Sequence, residues 1–141
     1  MLTVTVFLAG AVLCFDGKCY PVLVGEDTPT GTYPLTYMHT EAPNYGGEVL
    51  LFKETAEAFF AVHRTWPGRE GLYERPPGDR RRVTNGCINL PPAIFSKLQT
   101  AVYTAGGAML QIKAGRPGAL ANRRRSPVAL RIARMHSSYR R

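Results

Sequence analysis

The 141 residues predict a small, mainly β domain of the sandwich or barrel-like kind with one principal helix. Three observations carry that expectation. The first hundred residues break into short extended runs separated by Pro and Gly, an Asp-Gly pair sits between two such runs, and only one stretch repeats its apolar residues at helical spacing. At 45% hydrophobic content the chain can bury one core of ordinary size, so a single domain is expected, and no internal repeat divides it.

Taken in order, residues 2–8 alternate Val4, Val6 and Leu8 against Thr3, Thr5 and Phe7, as a half-buried strand does. The apolar start is read as a strand and not as a leader or anchor. No Lys or Arg precedes it, no clear small-x-small cleavage site follows, and it is too short to span a bilayer. Residues 11–15 and 18–24 flank Asp16-Gly17, the pair favoured in a type I′ hairpin turn, which places Cys14 opposite Cys19 in a non-hydrogen-bonded pair where the Cα atoms come closest. A cross-strand disulfide is geometrically allowed there, which would imply an oxidising compartment; two reduced hairpin cysteines are the other reading. Residues 49–53 and 57–63 read as further strands, with turns at 25–27, 43–47 and 67–68. Pro91-Pro92 opens a helix over 91–102 whose Ile94, Phe95, Leu98, Ala101 and Val102 form one apolar stripe. After Gly106-Gly107, residues 108–113 return as a strand.

The formal charge of +8 is unevenly placed. Residues 1–115 hold ten Lys or Arg against ten Asp or Glu, whereas 116–141 hold eight arginines and no acid. The expected organisation is therefore a charge-balanced body over 1–115 and an Arg-rich basic tail over 116–141. Ser126-Pro127 can start a helix with Val128, Ile132, Met135 and Tyr139 on one face; disorder is the alternative. Such a tail suits an anionic polymer, a membrane surface, nucleic acid or an acidic protein.

Chemistry concentrates in Val83-Thr84-Asn85-Gly86-Cys87-Ile88-Asn89-Leu90, downstream of Val62-His63. A thiol needs a base or a positive neighbour to ionise near neutral pH, and a histidine serves as both. Gly86 lets a carbonyl approach the backbone and leaves the amides of Gly86 and Cys87 to point at an oxyanion. Cys87 as an ordinary buried cysteine is the competing reading. Between His63 and Thr84 lies a long irregular segment with Trp66, Arg69, Tyr73, Arg75 and Arg80-Arg81-Arg82, whose arginines either hold a substrate carboxylate or form a solvated charged face. The scattered histidines have no metal-ligand spacing, His39 and His136 look incidental, and no metal or cofactor is expected.

Three separated stretches resemble the L,D-transpeptidase catalytic domain, the YkuD family. Thr28-Pro29-Thr30-Gly31-Thr32-Tyr33 looks like its Thr-Pro-Thr-Gly-x-aromatic signature, and Ala58-Phe59-Phe60-Ala61-Val62-His63 ends where that family places its base. Thr84-Asn85-Gly86-Cys87-Ile88-Asn89 matches five of the six positions of its cysteine signature. Chain order helps as well: papain-like and NlpC/P60-like hydrolases place cysteine before histidine, and sortases lack the Thr-Pro-Thr-Gly element. Two positions depart, Asn85 standing for a second histidine and Arg64 for a small residue.

The resemblance implies an L,D-transpeptidase (YkuD-type) fold and a cysteine-dependent acyltransferase of peptidoglycan. Cys87 would form an acyl-enzyme with a stem tetrapeptide, His63 would act as base, and the acceptor would be an amine (3→3 cross-link) or water (carboxypeptidase). It also implies that the Arg64 carbonyl orients His63, that Gly86 serves the oxyanion, and that Tyr45 donates from the opposite wall or simply packs on the core. Thr84, Asn85, Asn89 and Arg82 become candidates for fixing the turn or binding substrate. The implied place of action is the periplasm or cell wall, although no export signal is written in the chain. An idle wall-binding, virion or secretion-associated module anchored by the tail is the alternative.

Overall fold

The computed structural model describes residues 1–118. Its elements are β1 (Leu2–Phe7), β2 (Val12–Phe15), β3 (Lys18–Pro21), β4 (Gly31–His39), β5 (Glu48–Glu54), β6 (Phe59–Arg64), β7 (Ile88–Leu90), a helix α1 (Pro92–Thr104) and β8 (Ala108–Lys113). The strands form one eight-stranded sheet in the order β3-β2-β1-β8-β4-β5-β6-β7. β1 with β8 and β6 with β7 run parallel; the other neighbours are antiparallel.

Alternation in the first strand sends Val4 and Val6 into the core, with Leu8 just beyond β1. The Asp-Gly turn takes positive φ at both residues, 51° at Asp16 and 76° at Gly17, as a type I′ turn requires. Cys14 faces Cys19 across it and the two sulfurs are bonded. Helix α1 buries Phe95 and Leu98 completely, while Ile94, Ala101 and Val102 pack partly against the same core. Each fully buried side chain of that size contributes about 1.5–3 kcal/mol. Among the described residues, no helix is long and apolar enough to cross a membrane.

The structure departs from the sequence reading at four places. The expected strand over 18–24 ends at Pro21. Beyond it the chain leaves β2 and crosses to the other edge of the sheet, where Leu23 and Asn89 exchange both backbone hydrogen bonds at 3.0 and 2.9 Å. That crossing joins the β3 and β7 ends and nearly closes the sheet into a barrel. Strand β4 has no alternating pattern because it serves two neighbours: Gly31–Leu35 pair with β8 and Thr36–His39 with β5, and only Leu35 is buried. Strand β7 is three consecutive buried residues. The segment between β6 and β7 is not structureless, since it carries 3₁₀ turns at Glu70–Glu74 and Asp79–Arg82. Residues 116–118 belong to the expected basic tail, and the proposed helix from Ser126 lies outside the described residues.

Candidate active site

Strand register brings the two candidate residues, His63 and Cys87, to one place. In the parallel β6·β7 pair His63 stands beside Asn89, and Cys87 immediately precedes Ile88, the partner of Val62. Because side chains alternate along a strand, His63 and Asn89 share one face while Val62 and Ile88 point to the opposite one. Cys87 lies just before β7, and Tyr45, edge-on to His63, is close enough to feel the charge of Cys87. His63 is 3% exposed, and Cys87 is the free cysteine, half-buried with Sγ 4.0 Å from the Phe59 carbonyl oxygen.

The cysteine turn is braced by the Thr28 segment. Thr28 Oγ1 accepts the Gly25 N–H at 2.9 Å and donates to the Gly86 carbonyl at 2.9 Å, and Thr28 itself is buried. Gly25 forms a parallel bridge to Thr84, so close that a Cβ at Gly25 would lie 2.3 Å from the Thr84 carbonyl oxygen. Thr84 Oγ1 donates to the Cys87 carbonyl at 2.7 Å and accepts the Gly86 N–H at 3.1 Å. This last bond corrects one expectation: the Gly86 amide is engaged inside the turn and does not stand open to an oxyanion. Gly86 is needed for another reason, since its φ is +110° and its Cα faces the Phe60 ring. Thr28 is the supporting residue that sequence reasoning left without a role, though its motif was in view.

The Nδ1 of His63 lies 2.7 Å from the Arg64 carbonyl oxygen. A carbonyl only accepts, so Nδ1 carries the hydrogen and Nε2 keeps its lone pair. Burial holds the imidazole below its ordinary pKa of 6.5, opposed in part by the Arg64 bond. Burial likewise pushes the Cys87 thiol above its ordinary 9.0, against a backbone hydrogen bond from the Ala61 side. The resting pair is therefore a neutral imidazole and a neutral thiol.

The side chain of Arg64 turns away from the site. Its guanidinium lies over the Phe95 ring at 4.5 Å and donates to Glu48 at 3.0 Å, which holds that carboxylate below its usual range. Tyr45 sets its ring edge-on to His63 at 4.6 Å between centroids and to Trp66 at 5.7 Å, and its phenol is raised by burial and by the nearby Cys87. Asn89 is 2% exposed, and its Oδ1 has no hydrogen-bond partner among the described residues. Asn85 is exposed. Of the arginine run, Arg80 is fully buried, which rules out a uniformly solvated face, and exposed Arg82 pairs with Glu26 at 2.8 Å. His39 bonds Glu41 on the surface. Among the described residues no group of three His, Cys, Asp or Glu side chains is placed to hold a metal.

The two pKa directions predict a pH profile. His63 must be neutral to accept a proton, so the acid limb of any Cys87 acylation is expected below pH 6.5. Stability has the same sign: the unfolded imidazole takes up a proton as pH falls through 6.5 while the folded one resists, so stability declines below that value. Thermal melts from pH 7.5 to 4.5 check this, and His63→Gln should flatten part of the decline.

The chain has the fold of L,D-transpeptidases. An L,D-transpeptidase from Mycobacterium tuberculosis superposes over 79% of this chain with a TM-score of 0.53 at 15% identity. The helical cell shape determining protein from Campylobacter jejuni superposes over 82% with a TM-score of 0.56 at 17% identity. L,D-transpeptidase 3 from Mycobacterium tuberculosis, in complex with a faropenem-derived adduct, covers 79% at 0.51 and 12% identity. The chain spans 57%, 48% and 60% of the lengths of those proteins, respectively. No protein-family profile and no curated protein sequence matches it.

Proposed function

We propose that this chain is a cysteine acyltransferase of the L,D-transpeptidase kind, acting on peptidoglycan stem tetrapeptides. The observation that carries the reading is the His63 Nδ1–Arg64 carbonyl bond, which leaves Nε2 as base on the strand paired with the one that Cys87 immediately precedes. In the acylation step, Sγ attacks the carbonyl between the third and fourth residues of the stem while its proton passes to His63 Nε2. The imidazolium returns that proton to the departing amine as the C–N bond breaks, leaving a thioester on Cys87 and free D-alanine. An acceptor amine or water then attacks the thioester, giving its proton to His63, and the thiol is restored.

The Cys87 amide is the backbone donor adjacent to the nucleophile, and Tyr45, edge-on to His63, is the candidate side-chain donor. With Gly86 N–H engaged by Thr84, this reading leans on Tyr45 for a second oxyanion donor. Arg82 already spends its Nε–H on Glu26, so a substrate would meet its remaining N–H groups. Substrate of this kind places the action in the periplasm or cell wall. The catalytic body is assigned to 1–115, with the basic tail after it as a contact for an anionic polymer, a membrane surface or an acidic protein.

An idle module on the same fold is the second reading. It is favoured by the raised Cys87 thiol and by the loss of the Gly86 amide. Release of D-alanine from a disaccharide-tetrapeptide separates the two. Release by the wild-type chain and not by Cys87→Ala is expected; equal background from both would contradict the enzyme reading, and the co-product distinguishes cross-link from hydrolysis.

A further inference from the structure

The nucleophile strand is short. The β6·β7 ladder has three register pairs, and β7 lies at one end of the sheet. Besides the Leu23 bridge on its far side, the bonds that tie it to the end of β6 lie two residues beyond the candidate base and nucleophile: Thr65 follows His63 by two, and Asn89 follows Cys87 by two. Thr65 donates both its N–H and its Oγ1 hydrogen to the Leu90 carbonyl, each at 2.9 Å. Tyr73, in the 3₁₀ turn Glu70–Glu74, donates its hydroxyl to the Asn89 carbonyl at 2.9 Å and lies 2.6 Å from Thr65 Oγ1. Two hydroxyl hydrogens thus serve three contacts, one of them shared. Thr65 is 5% exposed and Asn89 2%, so these bonds are largely shielded from competing water.

We propose that Tyr73, acting through Thr65 and the Asn89 carbonyl, is a positioning residue that sets the distance between the base strand and the nucleophile strand. This rests on the acyl-transfer reading above for its consequence, not for its geometry. The bridge ties the segment after His63 to the segment after Cys87 at the point where the parallel ladder runs out. A thiol and an imidazole that must exchange a proton are sensitive to that spacing, because displacement by about 1 Å can cost about 10²-fold in rate. Burial keeps the Tyr73 phenol protonated well beyond its ordinary range, so the bridge does not titrate alongside His63 or Cys87. A pH effect of altering it therefore reports on the pair it positions.

The test uses the full chain with Tyr73→Phe, Thr65→Val and Thr65→Ser. Two readouts are taken: the pH profile of Cys87 alkylation by iodoacetamide, and kinact and KI for acylation by a carbapenem. Tyr73→Phe and Thr65→Val are expected to lower kinact by about 10-fold to 10²-fold with KI unchanged. Their alkylation profiles should move toward that of His63→Gln, and Thr65→Ser, which keeps the hydroxyl, should behave as wild type. Profiles superimposable on wild type would overturn the proposal. So would a loss of kinact no larger than the fraction unfolded by circular dichroism, or Thr65→Ser as impaired as Thr65→Val. If Tyr73→Phe does not fold, the Val and Ser variants at Thr65 decide alone. If the carbapenem leaves even the wild type unmodified while the alkylation profiles shift, the transpeptidase reading falls and the positioning role stands.

Discussion

Replacing His63 by glutamine is expected to slow acylation of Cys87 by about 10²–10⁴-fold, the range a positioned general base supplies. The resting geometry makes the effect large. Burial disfavours the Cys87 thiolate, so attack depends on a base that takes up the thiol proton. His63 is held neutral by the same cause and has its hydrogen fixed on Nδ1 by the Arg64 carbonyl, which reserves Nε2 for that proton. Glutamine keeps a polar group in the space but offers no nitrogen lone pair of comparable basicity. Time-resolved intact-mass measurement of carbapenem acylation gives the rate, with circular dichroism as the check on folding. A rate unchanged from wild type would mean that His63 is not the base.

The second large effect is expected from Gly86→Ala. Two costs coincide there. A Cβ would sit 2.5 Å from Phe60 Cε1 and 2.8 Å from Cδ1, and the +110° φ is one that L side chains rarely adopt. The backbone cost alone is about 1–3 kcal/mol. The Phe60 ring packs near Phe52, at 6.2 Å between centroids, so moving it disturbs the core beneath the turn. Relief comes most directly from shifting the turn, and that shift carries Cys87 with it and strains the bond from Thr28 to the Gly86 carbonyl. The variant is therefore expected to melt lower and to lose acylation by more than its loss of folded protein accounts for. Wild-type acylation at a normal melting temperature would show that the turn tolerates a side chain.

Much of the frame was legible from residues alone, because local rules dominate there. The β1 alternation, the type I′ turn at Asp16-Gly17 and the apolar stripe of α1 each state their own geometry, and the order of the Thr28, His63 and Cys87 motifs resembled one fold. What remained hidden was set by tertiary partners. Strand β4 divides its pairing between β8 and β5 and buries only Leu35, so it leaves no periodicity to find. Strand β7 is too short and too uniformly buried to differ from the turn that precedes it. In the run Arg80-Arg81-Arg82, one arginine is interior and another forms an exposed pair with Glu26; composition is blind to that difference. The Gly86 amide was misassigned because its fate depends on Thr84 Oγ1, whose rotamer no sequence pattern specifies. Thr28 went without a role for a similar reason, since the Gly86 carbonyl to which it donates lies in a turn 58 residues away.

The central claim is that Cys87 takes an acyl group from a stem peptide or its mimic. Intact mass of the wild-type chain and of Cys87→Ala, each incubated with a disaccharide-tetrapeptide and separately with a carbapenem, tests it most directly. The expected result is a mass gain equal to the acyl fragment on the wild type and none on the variant. An unmodified wild type, in a sample whose Cys87 still reacts with iodoacetamide, would contradict it.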